Sequence, residues 1–474
     1  MTPAARPHPF RPTRYIVAAV LAGAVVVLTL ATSALTVSTN GASWPLYVFG
    51  ALALATCIVG TVWGVRGLSE HGGGRRRDLI RAGVIIAAGF AFWLMVAETT
   101  EIYAGIPAGP VVTFALVCLP TTAFGLWVLR RLDRNEKEPW RLMLVAVVWG
   151  AIIATTLALW GNGLWQALIS DNLPPGPATS QSIGFSAGII EEISKGIAVL
   201  LLYLVMRNEF DDVVDGIIYG AAVGLGFDYF ETILYMTRIY VEIDAQTGST
   251  VAANLGASFQ FVMRQGISLF TGHATYTAMI GAGIGIARQM PRLHQRLLVI
   301  VAGFLAAIAA HMVWDAWISA SAAGGENVGL VLLFTVFREA AGNGIFTAIV
   351  LLLLGMGLRA EGRALEVHLA AEAATGRGAV REDDIRLLTH PWRRFLERFD
   401  ALTQRGIGAW VRVSRLRNAQ LDLAMERWHR ARRELDEPMQ AEEELRQRVL
   451  RLRAAAAPPP PRWPPPPQTQ AQRR

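Results

Sequence analysis

The sequence predicts an all-α polytopic membrane protein, a bundle of about ten transmembrane helices followed by a helical cytoplasmic tail. Of its 474 residues 53% are hydrophobic and only 17% are charged, whereas soluble domains carry roughly 25% charged residues. Ten apolar runs have a length of roughly 20 residues, which is the length that crosses the hydrocarbon core of a bilayer. The connections between these runs alternate between arginine-rich and nearly cation-free.

Each of the ten runs is a predicted transmembrane helix, and the charges between the runs predict how the chain is oriented in the membrane. Arginines precede the first run, and cations follow the second, fourth, sixth, eighth and tenth runs. Cytoplasmic loops carry the excess of Lys and Arg, so both termini are expected in the cytoplasm of a bacterial-type cytoplasmic membrane. The runs are 15–37, 44–65, 79–97, 110–129, 142–161, 183–206, 214–236, 261–287, 296–320 and 342–358.

The sequence changes character after residue 358. Apolar residues recur at helical spacing in an arginine-rich segment, which predicts short amphipathic helices in the cytoplasm or on the membrane surface. The end is proline-rich and is expected to be disordered or polyproline-like. We therefore divide the chain into N-terminal transmembrane helices (1–129), a membrane core (130–358), a helical cytoplasmic region (359–457) and a proline-rich tail (458–474).

The net charge is +7, and the arginines lie mostly at the predicted cytoplasmic membrane borders and in the segment after residue 358. Anionic lipid headgroups are therefore the expected partners of these cations. No specific binding of nucleic acid is expected.

Glu191, Glu192 and Lys195 all lie within one apolar run. Charges inside a bilayer are costly unless they are paired or serve a water-filled cavity. Lys195 follows the glutamates by four and three positions, so that all three side chains share one side of a helix. A structural ion pair would need only one acid, and the second glutamate therefore indicates chemistry within the membrane.

Other predicted spans supply a second acid and two imidazoles. Glu231 follows Phe227 by one helical turn, His273 lies in the next span, and His311 precedes Asp315 by four residues. Counted from the span ends, Glu191, Glu231, His273 and His311 fall in the outer half of the bilayer at 1.5 Å per residue. Each one alone is more typical of a hydrogen bond between packed helices, but as a set they favour a functional site.

Five segments carry a resemblance to a known family. They are DRNEKEP at 133–139, EEISK at 191–195, the stretch from DGIIYGAAVGLGF to FDYFE at 215–231, RQGISLFTGHA at 264–274 and HMVWD at 311–315. At these residues the chain resembles the PrsW family of intramembrane proteases, which are related to membrane proteases that process CAAX proteins and bacteriocins. Thr232 and Asp315 depart from the asparagines common at these positions, and an aspartate cannot donate an amide hydrogen bond to an oxyanion.

The resemblance implies a helical membrane protease. Its better known relatives make the first cut in a membrane-anchored anti-sigma factor, so the expected substrate is a single-pass membrane protein cleaved near the extracytoplasmic side. The candidate catalytic residues are Glu191, Glu192, Glu231, His273, His311 and Asp315, with Lys195 and Phe227 in supporting positions.

Two hydrolytic mechanisms remain open. Glu191 or Glu192 can act as a general base, with a protonated imidazole stabilising the oxyanion. Alternatively, side chains from several helices hold one Zn²⁺ ion whose bound water is the nucleophile. The metal-ligand candidates are Glu192, Glu231, His273 and His311, although no HExxH spacing is present.

No nucleotide or organic cofactor is expected. The GAGIG sequence at 281–285 continues a membrane helix, where small residues permit close packing. A proton- or ion-coupled transporter is the main alternative, because buried acids and histidines also form proton relays. The sequence shows no obvious inverted repeat, which disfavours a transporter. A catalytically silent membrane scaffold is a third possibility.

Overall fold

In the computed structural model, residues 108–172, 174, 177–206, 210–319, 336–431 and 440–456 are described, and their regular elements are all helices. The predicted all-α class is confirmed. The first three expected spans and the proline-rich tail lie outside the described residues. The helices are α1 (Ala108–Leu132), α2 (Trp140–Val148), α3 (Thr155–Asn172), α4 (Pro177–Val205), α5 (Val213–Thr247), α6 (Thr250–Phe261), α7 (His273–Gln289), α8 (Leu293–Ser319), α9 (Gly344–Ala374), α10 (Glu382–Leu388), α11 (Pro391–Ala431) and α12 (Gln440–Ala456).

Five stretches among the described residues are long and apolar enough to cross a membrane. They contain α1, the α2–α3 pair, α5, α8 and α9. Helix α4 has 29 residues and is also long enough at 1.5 Å per residue, but it carries Glu191, Glu192 and Lys195 in its apolar run. The expected count of ten spans is therefore not established by the described part of the chain.

The span expected at 261–287 is not one continuous helix. A π-helical turn occupies Val262–Ile267, and α7 begins only at His273 after an irregular segment. The amide of Ser268 donates to the carbonyl of Met263, five residues back. Irregular backbone at membrane depth is tolerated where it is buried in protein or lines a cavity. The break places His273 in the first turn of a helix.

Helices α5 and α7 are in backbone contact along a row of glycines. A Cβ atom added to Gly281 would lie 1.8 Å from the carbonyl oxygen of Gly216, and one on Gly224 would lie 2.2 Å from that of His273. The close packing predicted for the 281–285 segment is confirmed. Because only hydrogen fits at these positions, α7 lies close enough to α5 for His273 to contact side chains near its middle.

Helix α8 packs against α7 and α4 in a similar way. A Cβ atom on Gly283 would approach the Cα atom of Gly303 to 3.0 Å, and one on Gly188 would approach the Met312 side chain to 3.0 Å. Helices α4, α5, α7 and α8 therefore converge on one interior region, which holds the candidate site.

The chain forms two compact units. One contains Lys137–Gly357 and the residues of α1, and the other contains Arg134–Glu136 and the described residues from Leu358 onward. In the latter, which we call the C-terminal unit, α11 bends at Gly406, where φ is 78°. Arg417 beyond the bend pairs with Glu397 before it, so the two halves of α11 run antiparallel as a helical hairpin.

Candidate functional site

Glu192 on α4 is completely buried, and both of its carboxylate oxygens accept hydrogen bonds. Its Oε1 atom lies 2.6 Å from Lys195 Nζ and 3.0 Å from His311 Nδ1. Its Oε2 atom accepts a weaker hydrogen bond from the Thr277 hydroxyl at 3.4 Å. Glu192 therefore joins three helices and leaves little room for a substrate atom.

Glu191 has different surroundings, although it is the adjacent residue. Asn162 on α3 donates to its Oε1 atom at 3.3 Å. Its Oε2 atom is buried and has no hydrogen-bond partner. That oxygen lies 3.7 Å from Lys195 Nζ and 3.8 Å from His311 Nε2. Glu191 thus holds a carboxylate oxygen that is ready to accept a proton or a ligand.

His273 bridges α4 and α5. Lys195 Nζ lies 3.0 Å from its Nδ1 atom, and because an ammonium group only donates, Nδ1 accepts this bond. In the neutral ring the proton then lies on Nε2, which is 2.6 Å from Glu231 Oε2. Phe227 packs beside the His273 ring, and Lys195 Nζ lies 4.1 Å from the Phe227 ring centre. Both expected supporting residues therefore contact the histidine.

His311 is oriented by the Glu192 carboxylate, which accepts from Nδ1. Its other nitrogen, Nε2, faces Glu191 and lies 3.7 Å from Asp315 Oδ2. The ring centres of His311 and His273 are 5.1 Å apart. The structure thus brings all the residues singled out in the sequence into one continuous cluster.

Sequence reasoning missed Arg264 and Tyr276. Arg264, in the π-helical turn, forms an ion pair with Glu231 and lies 3.6 Å from Asp228. Tyr276 stacks on His311 with ring centres 5.0 Å apart and donates to the Asn343 side chain at 2.7 Å. An arginine inside an apolar run requires a buried partner, and this signal could have identified Arg264.

Asp228, which the sequence left without a role, belongs to the same network. Gln265 donates to its Oδ2 atom at 2.6 Å. The cluster around Glu231 is therefore completed by residues from the broken segment between α6 and α7.

Comparisons with known proteins match the region that builds this cluster. Residues 138–340 match a family model described as PrsW family intramembrane metalloprotease. The Protease PrsW of Geobacillus kaustophilus is 25% identical over 201 residues, which cover 42% of this chain and 77% of that protein. The Protease PrsW of Bacillus subtilis is 31% identical over 111 residues, covering 23% of this chain and 47% of that protein.

The matched region is thus similar to the PrsW family in both comparisons. It contains every acid and histidine of the cluster, so the expected resemblance to the PrsW family is confirmed over these residues. No solved structure matches the chain.

The PrsW family's description as metalloproteases raises the question whether the cluster fits a metal ion. Glu191, His273 and His311 each offer one ligand atom, and these atoms lie within 4.8 Å of one another. One carboxylate oxygen and two imidazole nitrogens form a donor set that Zn²⁺ accepts. Oε2 of Glu191, which has no hydrogen bond, already lies 3.8 Å from Nε2 of His311. His273 would lose one of its hydrogen bonds when it binds the ion.

This set differs from the one expected from the sequence. Glu192 and Glu231, two of the predicted metal candidates, are held by Lys195 and Arg264 respectively. Their carboxylates are in direct contact with these cations, whereas Glu191 Oε2 lies 3.7 Å from Lys195 Nζ and has no hydrogen bond, so Glu191 is the better ligand.

Proposed function

We propose that the chain is an intramembrane endopeptidase that hydrolyses a peptide bond of a single-pass membrane protein near the extracytoplasmic side. The observation that carries the proposal is the buried, unpartnered Oε2 atom of Glu191 beside His311 and Lys195. A buried acceptor without a partner costs free energy, and a water molecule or substrate at this position would satisfy it.

In this proposal Glu191 removes a proton from the attacking water and later returns it to the leaving amine. Asn162 orients the carboxylate through Oε1 and leaves Oε2 free for the proton. Positioned acid–base groups of this kind contribute roughly 10²- to 10⁴-fold to rate. His311, fixed through Nδ1 by Glu192 and protonated on both ring nitrogens, would donate from Nε2 to the carbonyl oxygen that becomes negatively charged.

The remaining charged groups hold the reacting ones in place. Lys195 connects Glu192 to His273, while Arg264 and His273 both contact Glu231. Fixed charges in a water-poor site stabilise developing charge without reorganising during the reaction.

The alternative mechanism is that the Glu191, His273 and His311 set would hold a Zn²⁺ ion, in which case Glu191 and His311 would be ligands rather than the general base and the oxyanion donor. When bound, such an ion would polarise the scissile carbonyl and make water more acidic. The test is the metal content of purified active protein. His273→Ala and His311→Ala should remove stoichiometric metal, whereas less than roughly a tenth of an equivalent in active protein would exclude a one-metal mechanism.

The substrate class follows from the family resemblance and the membrane setting. We propose a membrane-anchored protein such as an anti-sigma factor, cut in a site-1-type step. We also propose that the protein lies in a bacterial-type cytoplasmic membrane with both termini in the cytoplasm.

A screen of purified protein against peptides that span single-pass membrane proteins tests the activity. Wild-type protein should cut a subset of these peptides, and Glu191→Gln protein should cut none. A transporter would instead move protons or ions across vesicles without producing new peptide ends. Absence of cleavage across the library, with the protein folded, would contradict the proposal.

A further inference from the structure

The first half of α11 in the C-terminal unit presents its apolar side outward. Trp392, Phe395 and Phe399 are 68%, 52% and 53% exposed. Their rings stack in a row, with centres 5.3 Å apart for the first pair and 6.0 Å for the second. Leu396 and Leu402 are also exposed and continue this side of the helix at helical spacing. We call these five residues the aromatic face.

The opposite side of the same helix makes the contacts within the unit. Arg394 and Ala401 are buried there, and Glu397 pairs with Arg417 at 2.6 Å. An amphipathic helix of a soluble domain normally turns its apolar side to the core. In α11 that side is left uncovered within the unit, which is typical of an interaction surface.

The bend at Gly406 extends the exposed apolar area. Ile407, directly after the bend, is 71% exposed, and Trp410 follows one turn later. The tip of the helical hairpin therefore adds two large apolar side chains to the surface.

Exposed arginines accompany the apolar residues. Arg393 follows Trp392 and lies beside the aromatic face, Arg405 precedes the bend, and Arg412 and Arg415 follow it. Residues 391–415 contain two acids, of which Asp400 is exposed and Glu397 pairs with Arg417. A helix with aromatic and aliphatic residues on one side and arginines beside them suits the interface of an anionic bilayer.

The chain tethers this unit to a candidate membrane-spanning stretch. Helix α9, at the end of a candidate membrane-spanning stretch, continues without interruption to Ala374, 17 residues before α11 begins at Pro391. A surface tethered in this way meets the bilayer at a high effective concentration, so that weak contacts are sufficient.

We propose that the aromatic face of α11 docks on the membrane, with its rings among the headgroups and upper acyl chains of anionic lipids and its arginines on their phosphates. Tryptophan and arginine are both favoured at this depth. Docking would fix the C-terminal unit against the bilayer independently of the proteolytic site.

Spin labels on the full-length protein test this proposal. The chain has two cysteines, so a Cys57→Ser, Cys118→Ala background accepts a single label. We would place it at Leu396→Cys or Leu402→Cys on the aromatic face, and at Gln404→Cys as an exposed polar control on the same helix. Protein is reconstituted in phosphatidylcholine vesicles with or without phosphatidylglycerol, and collisions with oxygen and a water-soluble nickel chelate are measured.

The labels on the aromatic face should collide with oxygen more than with nickel in vesicles that contain phosphatidylglycerol, while the Gln404→Cys label stays accessible to nickel. Arg393→Gln or Arg405→Gln should lower the docked-to-undocked ratio about fivefold, because each arginine near an anionic surface contributes about 1 kcal/mol. Arg377→Gln, an exposed change elsewhere in the unit, should leave it unchanged.

Two results would overturn the proposal. One is equal nickel accessibility at Leu402→Cys and Gln404→Cys in anionic vesicles. The other is protection of the aromatic-face labels from both reagents, which would show that protein covers the face. Circular dichroism of each labelled protein establishes that the helices are intact.

Discussion

Glu191 and Glu192 are consecutive residues, about 100° apart around a helix, and this rotation gives the two carboxylates different surroundings. Glu192 accepts from Lys195 and His311, while Glu191 leaves one buried oxygen unpartnered. We infer that Glu192 mainly holds the site together and that Glu191 carries the chemistry.

The two glutamine substitutions should therefore differ in stability. Glu192→Gln leaves the Lys195 ammonium buried without its closest carboxylate, which should cost about 3–5 kcal/mol of unfolding free energy. Glu191→Gln keeps the acceptor for Asn162 and should change stability by less than about 1 kcal/mol. Unfolding in mixed detergent micelles measures both, with the exposed Glu242→Gln as a control. Equal losses at the two sites would contradict the division of roles.

At the scale of elements, the α5–α7 contact positions His273. The glycine row lets the two backbones touch, so that a histidine in the first turn of α7 reaches Glu231 on α5. The site therefore depends on the glycines that let the two helices touch, as well as on its charged side chains.

Gly281→Ala tests this dependence. The added methyl group would meet the Gly216 carbonyl, so α7 must shift, and overpacking of this kind typically costs about 1–3 kcal/mol. We expect lower thermal stability and reduced cleavage. Gly355→Ala, where a Cβ atom meets nothing within 4 Å, should be neutral or slightly stabilising. Equal behaviour of the two variants would argue against the backbone contact.

In the C-terminal unit the corresponding element is α10, which is anchored by Asp384. Burial alone would raise the pKa of Asp384, but hydrogen bonds from Arg453, the Arg381 amide and Arg417 hold this pKa below its ordinary value. Because the folded pKa is lowered, the stabilisation is present above the unfolded value of about 3.9 and is lost as the pH falls through the folded value.

Asp384→Asn should remove this stabilisation. At neutral pH the change should cost about 3 kcal/mol, because Arg417 and Arg453 lose their shared carboxylate. The variant should also lose the acid-dependent step below roughly pH 4. Hydrogen exchange of α10 and α11 between pH 3 and 7 measures both effects, with the exposed Asp383→Asn as a control. An unchanged acid profile would refute the role of Asp384.

At the scale of the whole molecule, the sequence predicted the class, the family and the acids and histidines of the cluster. Charges in apolar runs are costly, and this cost made Glu191, Glu192 and Lys195 visible without a structure. Hydropathy could not predict the break before His273, because a π-helical turn depends on contacts with other helices, such as the one between Arg264 in the turn and Asp228 on α5. The choice of Glu191 over Glu192 as the free carboxylate likewise depends on tertiary contacts.

The sequence also did not predict that the aromatic face of α11 is exposed. Its periodicity predicted an amphipathic helix, but periodicity does not tell which side the neighbouring helices cover. Only the burial of Arg394 and Ala401 shows that the apolar side faces away from the unit.

The cleavage rate of one membrane-embedded substrate tests the central claim most directly. Wild-type protein and the Glu191→Gln and Glu242→Gln variants are reconstituted with a single-pass substrate from the peptide screen, and the new peptide ends are identified by mass spectrometry. We predict one cut within or beside the substrate's span, unchanged by Glu242→Gln and slowed at least ~100-fold by Glu191→Gln. Near-normal cleavage by folded Glu191→Gln protein would contradict the proposed site.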